Sequence, residues 1–473
     1  MPPGIPTVDI GFALSSSPGA RPQEARGRVV NAYVEPLGDG TPIWRRAPGT
    51  RAFGTTAHTG FRGAFVNGAI LYSAFSGKLV KYTSAGGASA AVGDLAGTTK
   101  VFFARNNKAG TPDQVVVTEN GAFSFTSSGV SAFADADLPQ PNAVCFLGGY
   151  FIFTIGDGRM FSTGLNAVTV SALDFATAES KPDTLLRPVP FGGFLYACGD
   201  KSIEIWPNTA NPTGFPFSWQ YTIPRGLLAA HAITGFEDGV GVGIFFVADN
   251  NTVQRLNGYT PEKVSPPDLD RRIEALSDKT TLEMSSYVSQ GHTFIELSCA
   301  AWTWVLDVNN MKWHERDSYG IARHRLIMPI NAFNKWIGGD TKAGNLIETS
   351  GDVLKDIDEP LRFRLESIPV GDFPNGVQVA RADFLFTPGT GSAVGADPVE
   401  TDPQVEISFT DDGVKWSSAL VRKLGRQQKG EQRVYVLNMG IAGPQGRRWR
   451  LDVTSGVYVG LMRGKQSADI RAV

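Results

Sequence analysis

The sequence predicts an all-β protein, built from a six- or seven-bladed β-propeller and a C-terminal β-sandwich-like domain. Three observations indicate this: a repeated strand-and-turn phrase, hairpin signals at regular spacing up to about residue 360, and alternating polar and apolar residues beyond it. The composition agrees, because 54 Gly and 29 Pro favour turns and 29 Phe suit half-buried strands.

The repeated phrase sets the expected size of a blade. A Gly-Gly turn, an apolar run, a short turn containing Asp and Gly, and a second apolar run occupy 148–161 and again 192–206. Gly149 in the first copy corresponds to Gly193 in the second, a shift of 44 residues. That period is typical of four-stranded blades arranged around an axis.

Hairpin signals extend this pattern along the chain. The clearest is Asn120-Gly121 between two apolar runs, the strongest short hairpin signal. The candidate hairpins are centred near 61–82, 101–125, 143–162, 185–206, 241–257, 287–314 and 326–347. Seven hairpins are consistent with either six or seven blades. An early strand at Arg28–Pro36 is expected to complete a blade and close the ring, and a helix is expected near Asp270–Leu276.

Three segments follow from these patterns. Residues 1–60 form an extended N-terminal arm and the first strands, and the Pro-, Gly- and Ser-rich arm is expected to order only against another surface. Residues 61–360 form the propeller. Residues 361–473 form an antiparallel β-domain, since their strands alternate polar with apolar side chains in the manner of a half-buried sheet.

Charge and cysteine usage exclude several classes of protein. A net charge of −2 argues against a chain that wraps nucleic acid as a whole. The widely spaced Cys145, Cys198 and Cys299 predict buried free thiols and folding in a reducing cytosol. We find no secretory leader and no apolar run of about 18 residues, so no membrane anchor is expected.

No catalytic constellation is evident in the sequence. The five histidines have no metal-ligand spacing, and neither a G-x-S-x-G elbow nor a P-loop string occurs. The string from Asp411 to Trp416 is close to the Asp box of sialidase-type propellers, but Phe409 replaces its leading serine. A hairpin turn with a stacked Trp is the preferred interpretation, and no catalytic, cofactor-binding or metal-binding residue is predicted.

Two residue sets are candidates for contacts with partners. The first is a basic patch near the C-terminus that would meet an acidic partner or a phosphate backbone, with solvated strand faces as the alternative. The basic excess consists of Arg422, Lys423, Arg426, Lys429, Arg433, Arg447, Arg448 and Arg450, and the residues selected as the partner-facing patch are Arg422, Lys423, Arg426, Arg447 and Arg448. The second set is either interface anchors or packing within blades. It comprises Trp206, Trp302, Trp304 and Trp313.

One passage carries a family resemblance. The string A-E-S-K-P-D over 178–183 precedes S-I-E-I-W over 202–206, and P-R-G at 224–226 precedes A-D-N-N-T-V over 248–253. This order resembles the packaged DNA stabilisation proteins, or tail hubs, of short-tailed bacteriophages. Asn31–Glu35 with Pro48-Gly49 near the start, and Lys423-Leu424-Gly425 followed by Arg433-Val434 near the end, extend the resemblance over nearly the whole length.

The resemblance implies a structural virion protein without enzymatic activity or cofactor. Such a protein is expected to form a homo-hexamer below the portal and adaptor ring, closing the DNA channel after packaging. It would anchor a tail needle and tailspikes or tail fibres, while packaged double-stranded DNA passes without sequence-specific binding. It would be assembled in the host cytoplasm and reside in the virion tail.

Two alternatives remain open at this point. A glycan-binding or sialidase-like propeller would need arginines, a tyrosine and carboxylates at one mouth of the propeller. A phage or bacterial propeller adaptor outside the tail hub is the other alternative. The sequence does not assign the faces that would meet each partner.

Overall fold

Seven four-stranded blades form a β-propeller in the part of the chain that the structure describes. The structure is a computed structural model and describes residues 6–133, 135–178, 183–211, 213–393 and 397–471. The blade number, left at six or seven by the sequence, is therefore seven.

Blades 1 to 5 each consist of four consecutive antiparallel strands. Blades 1 and 2 contain Gly63–Asn67, Ile70–Phe75, Gly77–Tyr82 and Ala90–Leu95, then Phe102–Arg105, Gln114–Thr118, Gly121–Phe125 and Val130–Ala132. Blades 3 and 4 contain Ala143–Leu147, Tyr150–Thr154, Arg159–Thr163 and Val170–Thr177, then Leu185–Phe191, Phe194–Gly199, Ile203–Pro207 and Tyr221–Ile223. Blade 5 contains Ile233–Thr234, Phe245–Val247, Val253–Asn257 and Thr260–Lys263.

Blade 6 also consists of four consecutive strands, although its sheet continues beyond the blade, whereas blade 7 takes its outer strand from a distant part of the chain. Blade 6 contains Glu283–Ser289, His292–Ser298, Thr303–Asp307 and Lys312–Arg316. Blade 7 contains Leu326–Ala332, Lys335–Asp340 and Leu346–Ser350, and its outer strand is Gly49–Ala52. We call Gly49–Ala52 the closing strand, because it joins the start of the chain to the last blade. Lys355–Asp356 pairs with it on the other side, and Glu359–Pro360 follows.

The repeated phrase corresponds to the turns of blades 3 and 4. Gly148 and Gly149 form the turn between the first two strands of blade 3, with φ of 61° and 98°. Gly192 and Gly193 do the same in blade 4, with φ of 58° and 83°. Two successive positive φ angles match the twist of a two-residue hairpin, which is why both copies carry a Gly pair.

The predicted early strand is divided in two. Asn31, at a φ of 50°, separates Arg28–Val30 from Ala32–Pro36. Arg28–Val30 does not close the ring as predicted. It lies parallel to the outer strand of blade 6 through the Val30–Glu315 register, and the closing strand takes the expected role. We call Arg28–Val30 the bridging strand, since its other edge pairs with Phe363–Glu366.

The remaining strands form three sheets. The blade 6 sheet continues to nine strands through the bridging strand, Phe363–Glu366, Arg448–Val453, Gln404–Thr410 and Leu420–Lys423. A six-stranded sheet contains Ala32–Pro36, Pro42–Arg46, Gly460–Ser467, Arg381–Phe386 and Val434–Leu437, with Thr7–Ile10 beside Gly460–Ser467. A three-stranded sheet contains Ile441–Ala442, Gly376–Gln378 and Asp469–Arg471.

The nine-stranded and six-stranded sheets share one apolar core. Phe363 and Trp449 from the first sheet pack in the same buried cluster as Trp44 and Phe384 from the second. The Trp449 ring meets the Phe384 ring edge-on at 5.6 Å between centroids. Because N-terminal strands enter both sheets, the boundaries at 60 and 360 and the sandwich-like C-terminal domain stay predictions.

The N-terminal arm packs against its own chain over the described residues. Thr7–Ile10 pairs with Gly460–Ser467. Trp44 donates its indole N–H to the Ala13 carbonyl at 2.8 Å, and the Ser16 N–H donates to the Trp313 carbonyl at 2.8 Å. The surface that orders these residues is therefore within the same chain.

Helices are short. Pro267–Glu274 is the longest helix among the described residues, close to the predicted 270–276, and Pro398–Thr401 is a single turn. Pro267 begins the first helix, where its missing N–H costs nothing, and Leu269 and Ile273 are buried. Two 3-10 turns lie at Pro22–Glu24 and Lys279–Thr281. In the described part of the chain we find no helix with the length and apolar character needed to cross a membrane.

Candidate functional site

An ion-pair ladder crosses the junction between blade 6 and the C-terminal sheet. Arg28 on the bridging strand holds Glu315 of blade 6 with two hydrogen bonds of 2.9 and 2.7 Å. On the neighbouring strand Glu366 accepts from Arg450 at 2.8 Å and from Arg448 at 2.9 Å. Glu366 is 1% exposed, so the carboxylate is shielded from water. The ladder therefore ties the propeller to the C-terminal strands as one continuous sheet.

The pKa of Arg28 reflects this environment. Burial alone lowers the pKa of its guanidinium, but the hydrogen bonds and charge of Glu315 outweigh burial and raise the pKa above its usual range. Removing one partner of such a pair leaves an uncompensated charge in a partly dry site.

A second polar network lies where the ring closes. Asp356, with no exposed surface, accepts from the Thr50 hydroxyl of the closing strand at 3.1 Å and from the Ser318 hydroxyl at 2.7 Å. Arg325 forms a bidentate pair with Asp340 at 3.0 and 2.6 Å. These groups join blade 7, the segment before it and the segment after it.

Blade 6 and the segment that follows it contribute a buried triad to the same region, formed by Arg316, His324 and Glu296. Arg316 donates to the Pro48 carbonyl at 2.8 Å, just before the closing strand. Its guanidinium also lies 2.9 Å from His324 Nε2, and His324 Nδ1 lies 3.0 Å from Glu296. All three side chains are buried. The triad holds the closing strand at its entry and carries no exposed group that could meet a substrate.

Side chains from opposite blades meet across the propeller axis. The Phe102 ring of blade 2 stacks on His231, which precedes blade 5, at 4.4 Å between centroids. Arg187 of blade 4 lies 4.8 Å from the Phe102 ring centroid, and Lys100 pairs with Glu283 of blade 6. Burial and the charges of Arg187 and Lys100 hold the pKa of His231 well below 6.5, so its ring is neutral. The axis is closed at this level.

Two surface clefts have no convergent catalytic groups. One of about 500 Å³ lies over blades 6 and 7 and includes Trp336, and its carboxylate Glu348 already pairs with Lys335 at 2.6 Å. The other, of about 430 Å³, includes Asp411 and Trp416. Among the described residues, no three His, Cys, Asp or Glu side chains are grouped to hold a metal ion.

The Asp-box-like string is a structural turn. Asp411 pairs bidentately with Arg447 at 2.7 and 2.8 Å. Asp412 accepts from the N–H groups of Val414 and Lys415, both at 2.8 Å. Trp416 is covered by the Arg450 guanidinium, 3.6 Å from its ring centroid. This agrees with the interpretation as a hairpin turn with a stacked Trp.

The predicted basic patch is divided by the structure. Arg447 and Arg448 are 1% and 4% exposed and pair with Asp411 and Glu366, so these two residues do not belong to an exposed patch. The two residues are consecutive and point to opposite faces, but each is buried against its own carboxylate, which the sequence did not indicate. Arg422, Lys423 and Arg426 lie in and just after the last strand of the nine-stranded sheet, beside Val434–Leu437, and their partner-facing role stays a prediction.

The tryptophans and cysteines are core residues. Trp206, Trp302, Trp304 and Trp313 are all buried within the blades, which favours packing over the role of exposed anchors. All three cysteines are free and buried, as predicted. Burial raises the pKa of the Cys145 thiol well above its usual range, so this thiol is not reactive at neutral pH.

The A-E-S-K-P-D string is only partly visible. Residues 179–182 lie outside the described residues. Asp183, the last residue of the string, accepts from the backbone N–H of Ser202 at 3.0 Å and from its hydroxyl at 2.8 Å. Ser202 opens the S-I-E-I-W strand, so the two strings of the resemblance are in direct contact.

Sequence reasoning missed the ladder and the closing network. Glu366, Arg28 and Asp356 are each far in sequence from their partners, so no local spacing relates them. Glu366 gave no local signal of burial either, because Phe363-Arg364-Leu365-Glu366 alternates apolar with charged residues as a half-solvated strand does.

These observations define the class of protein: a seven-bladed β-propeller in which the buried polar side chains described above pair with groups of the same chain. The comparison with protein families then gives the particular group. The model described as Bacteriophage P22 Gp10, beta-propeller, matches residues 30–352, and the chain belongs to this family. The resemblance to packaged DNA stabilisation proteins is thereby confirmed, and the chain is a phage structural propeller protein.

Two solved structures have low similarity to this chain. The WD40 beta propeller domain of Doa1 is 9% identical and is matched over 64% of this chain and 96% of its own, with a TM-score of 0.40. The computationally designed Ika8 protein is 12% identical, over 72% of this chain and 99% of its own, with a TM-score of 0.39. A comparison with curated proteins finds no match.

Proposed function

We propose that this protein is a tail hub of a short-tailed phage. Copies would assemble as a homo-hexamer below the portal and adaptor ring, close the DNA channel after packaging, and anchor the tail needle and the tailspikes or tail fibres. The observation that carries the proposal is membership of the phage P22 Gp10 family over residues 30–352. Assembly would take place in the host cytoplasm, and the role would be structural rather than enzymatic.

The closed propeller axis supports a ring of several copies. The Phe102–His231 stack and the Lys100–Glu283 pair join opposite blades across the axis. A conduit for double-stranded DNA would therefore run between copies and not through a single propeller. Packaged DNA would pass along that shared channel without recognition of its sequence.

The ion-pair ladder supports a role as a rigid spacer. The nine-stranded sheet runs unbroken from blade 6 to Leu420–Lys423, and Arg28 and Glu366 brace it where propeller strands give way to C-terminal strands. Such a sheet would hold two contact surfaces at a fixed spacing, as an intermediate ring between portal and tail requires.

Light scattering on the purified full-length protein tests the proposal. The mass is measured alone and after mixing with the portal and adaptor ring of the same phage. A monomer of 50.7 kDa that adds as six copies to the ring supports a tail hub. A protein that leaves the mass of the ring unchanged contradicts the proposal.

A further inference from the structure

Six side chains meet at one end of the propeller axis, and we call this group the axial mouth. The first strands of neighbouring blades contact each other, so these strands are the innermost ones around the axis. Each of the six residues lies just before or near the start of such a strand, in blades 2, 4, 5, 6 and 7. The axial mouth comprises Lys100, Phe102, Arg187, His231, Glu283 and Arg323.

The guanidinium of Arg187 has almost no polar partner. Its one hydrogen bond among the described residues goes to the Ala230 carbonyl, at a long distance of 3.3 Å. Its Nε is buried and unpaired in this part of the chain. The rings of Phe102 and Phe236 lie 4.8 and 5.6 Å from the guanidinium carbon. Burial lowers the pKa of Arg187, because no carboxylate is close enough to offset the lost hydration in full.

The carboxylates near the axial mouth are already used by other donors. Glu283 accepts from Arg323 at 2.5 Å and also pairs with Lys100. Glu237 is the other carboxylate whose charge acts on Arg187. It accepts from a hydroxyl at 2.9 Å and from a backbone N–H at 2.6 Å, both within three residues of it. Three cations thus face two carboxylates, and the axial mouth keeps a net positive charge.

His231 adds a donor that has no acceptor. Neither of its ring nitrogens has a hydrogen-bond partner within the described part of the chain. The ring is neutral, as its lowered pKa requires, so one of these nitrogens carries a hydrogen. Arg187 and His231 are both partly exposed, and solvent therefore reaches them. The axial mouth offers N–H donors and charge for which the chain supplies no acceptor.

We infer that the axial mouth binds a free inorganic oxyanion of the phosphate type. A tetrahedral anion has acceptor oxygens in four directions, so it can accept from donors on several blades at once. The planar fork of Arg187 fits two of these oxygens. A carboxylate has two oxygens in one plane and would engage fewer of the donors. The inference does not depend on the proposed function, because it rests on charges and donors within a single chain.

Isothermal titration calorimetry with sodium phosphate tests the inference on the full-length protein. Sodium chloride keeps the ionic strength constant, so that general screening is equal throughout. The variant Arg187→Gln removes the charge that has no partner. The control variant Arg105→Gln removes an exposed charge from the far end of the innermost strand of blade 2, Phe102–Arg105.

We expect the wild-type protein and Arg105→Gln to bind phosphate equally. Arg187→Gln should bind roughly tenfold more weakly or worse, because it loses bidentate hydrogen bonds to a charged ligand. Arg187→Lys keeps the charge without the fork and should lie between them. Phosphate should also raise the Tm of the wild-type protein above its value in chloride.

A crystallographic measurement locates the anion in the wild-type protein. Crystals soaked in selenate, a tetrahedral oxyanion whose selenium scatters anomalously, should show a peak beside the Arg187 guanidinium. This measurement decides the question even if Arg187→Gln does not fold.

Four outcomes overturn the inference. Equal affinity of the wild-type protein and Arg187→Gln means that the axial mouth is not the site. Equal weakening in Arg187→Gln and Arg105→Gln means that total charge sets the affinity. Binding of acetate as tight as that of phosphate means that the site does not select a tetrahedral anion. A selenate peak elsewhere, or no peak, means that the donors of the axial mouth are satisfied by water.

Discussion

The sheets of blades 1 to 5 contain only their own four consecutive strands, whereas the sheets of blades 6 and 7 each include a strand from the N-terminal segment. Each of the first five is a run of four neighbouring strands joined by short turns, as in Ala143–Leu147 and its partners. Blade 7 takes its outer strand from Gly49–Ala52, and blade 6 gains the bridging strand Arg28–Val30. The same architecture is thus reached by local pairing in one half and distant pairing in the other.

The difference shows where buried polar contacts are needed. Local blades are held by apolar interfaces, such as the cluster of Phe151, Phe153 and Phe161. Where distant segments join, buried charges fix the register: Glu366 at the bridging strand and Asp356 at the closing strand. Apolar contacts tolerate slippage, whereas a bidentate pair has one geometry.

The largest expected effect is at the bridging strand. Replacing Glu366 with Ala leaves Arg448 and Arg450 without their carboxylate in a buried site. We expect a loss of about 3–5 kcal/mol in the free energy of unfolding, measured by urea denaturation. The matched variant Glu431→Ala removes a highly exposed pair and should leave the midpoint unchanged. If the two variants lowered the free energy of unfolding equally, the proposed difference between buried and exposed ion pairs would be wrong.

A smaller effect is expected at the closing strand. Asp356→Ala deprives the hydroxyls of Thr50 and Ser318 of their acceptor, and we expect a loss of about 3 kcal/mol. Its counterpart in a local blade is Asp157→Ala, where the Arg159 pair is exposed and the loss should stay below about 1 kcal/mol. Hydrogen exchange should show faster opening of blade 7 than of blade 3 in Asp356→Ala. Unchanged protection of Gly49–Ala52 would show that the closing strand is held by other contacts.

The smallest effect concerns acid stability in the local half. Burial alone raises the pKa of Glu119, but hydrogen bonds from the Thr99 hydroxyl and the N–H groups of Thr98 and Thr99 lower it to about 2 from 4.5. A carboxyl with a depressed pKa in the folded state stabilises above pH 4.5, and this contribution is lost as pH falls towards 2. Because Glu119 is partly exposed, we expect about 1 kcal/mol.

Denaturation curves at pH 6 and pH 3 measure this contribution. Glu119→Gln should be less stable than the wild-type protein at pH 6, and the difference should be clearly smaller at pH 3, which lies between the two pKa values of 4.5 and about 2. A constant difference at both pH values would assign the effect to lost packing.

The distinction between local and distant strand pairing explains how much of the fold the sequence could predict. All seven hairpin positions correspond to blades, because the Gly148-Gly149 and Asn120-Gly121 turns are local signals. The role of Gly49–Ala52 was missed, since only its partner Leu346–Ser350, some 300 residues later, makes it a blade strand. Arg28–Pro36 was assigned that role because the left-handed turn at Asn31 is not evident from residue types alone.

The candidate site was predicted less well than the fold. The basic excess near the C-terminus was visible from composition, but burial was not. Arg447 and Arg426 look alike in the sequence, and only the pairing of Asp411 with Arg447 separates them. Charged residues in strands follow alternation, which gives a face but not a partner.

The position of the closing strand also determines when the propeller can close during synthesis of the chain. The Gly49 carbonyl accepts a hydrogen bond from the Thr349 hydroxyl, which lies 300 residues further along the chain. The ring is therefore complete only after Thr349 has been synthesised. During translation the closing strand is present early, but blade 7 is not, so a nascent or prematurely terminated chain is an open arc with an uncovered blade at each end. The propeller can therefore close only after the ribosome has translated Leu346–Ser350. Shorter products expose sheet edges, which favour their aggregation and removal.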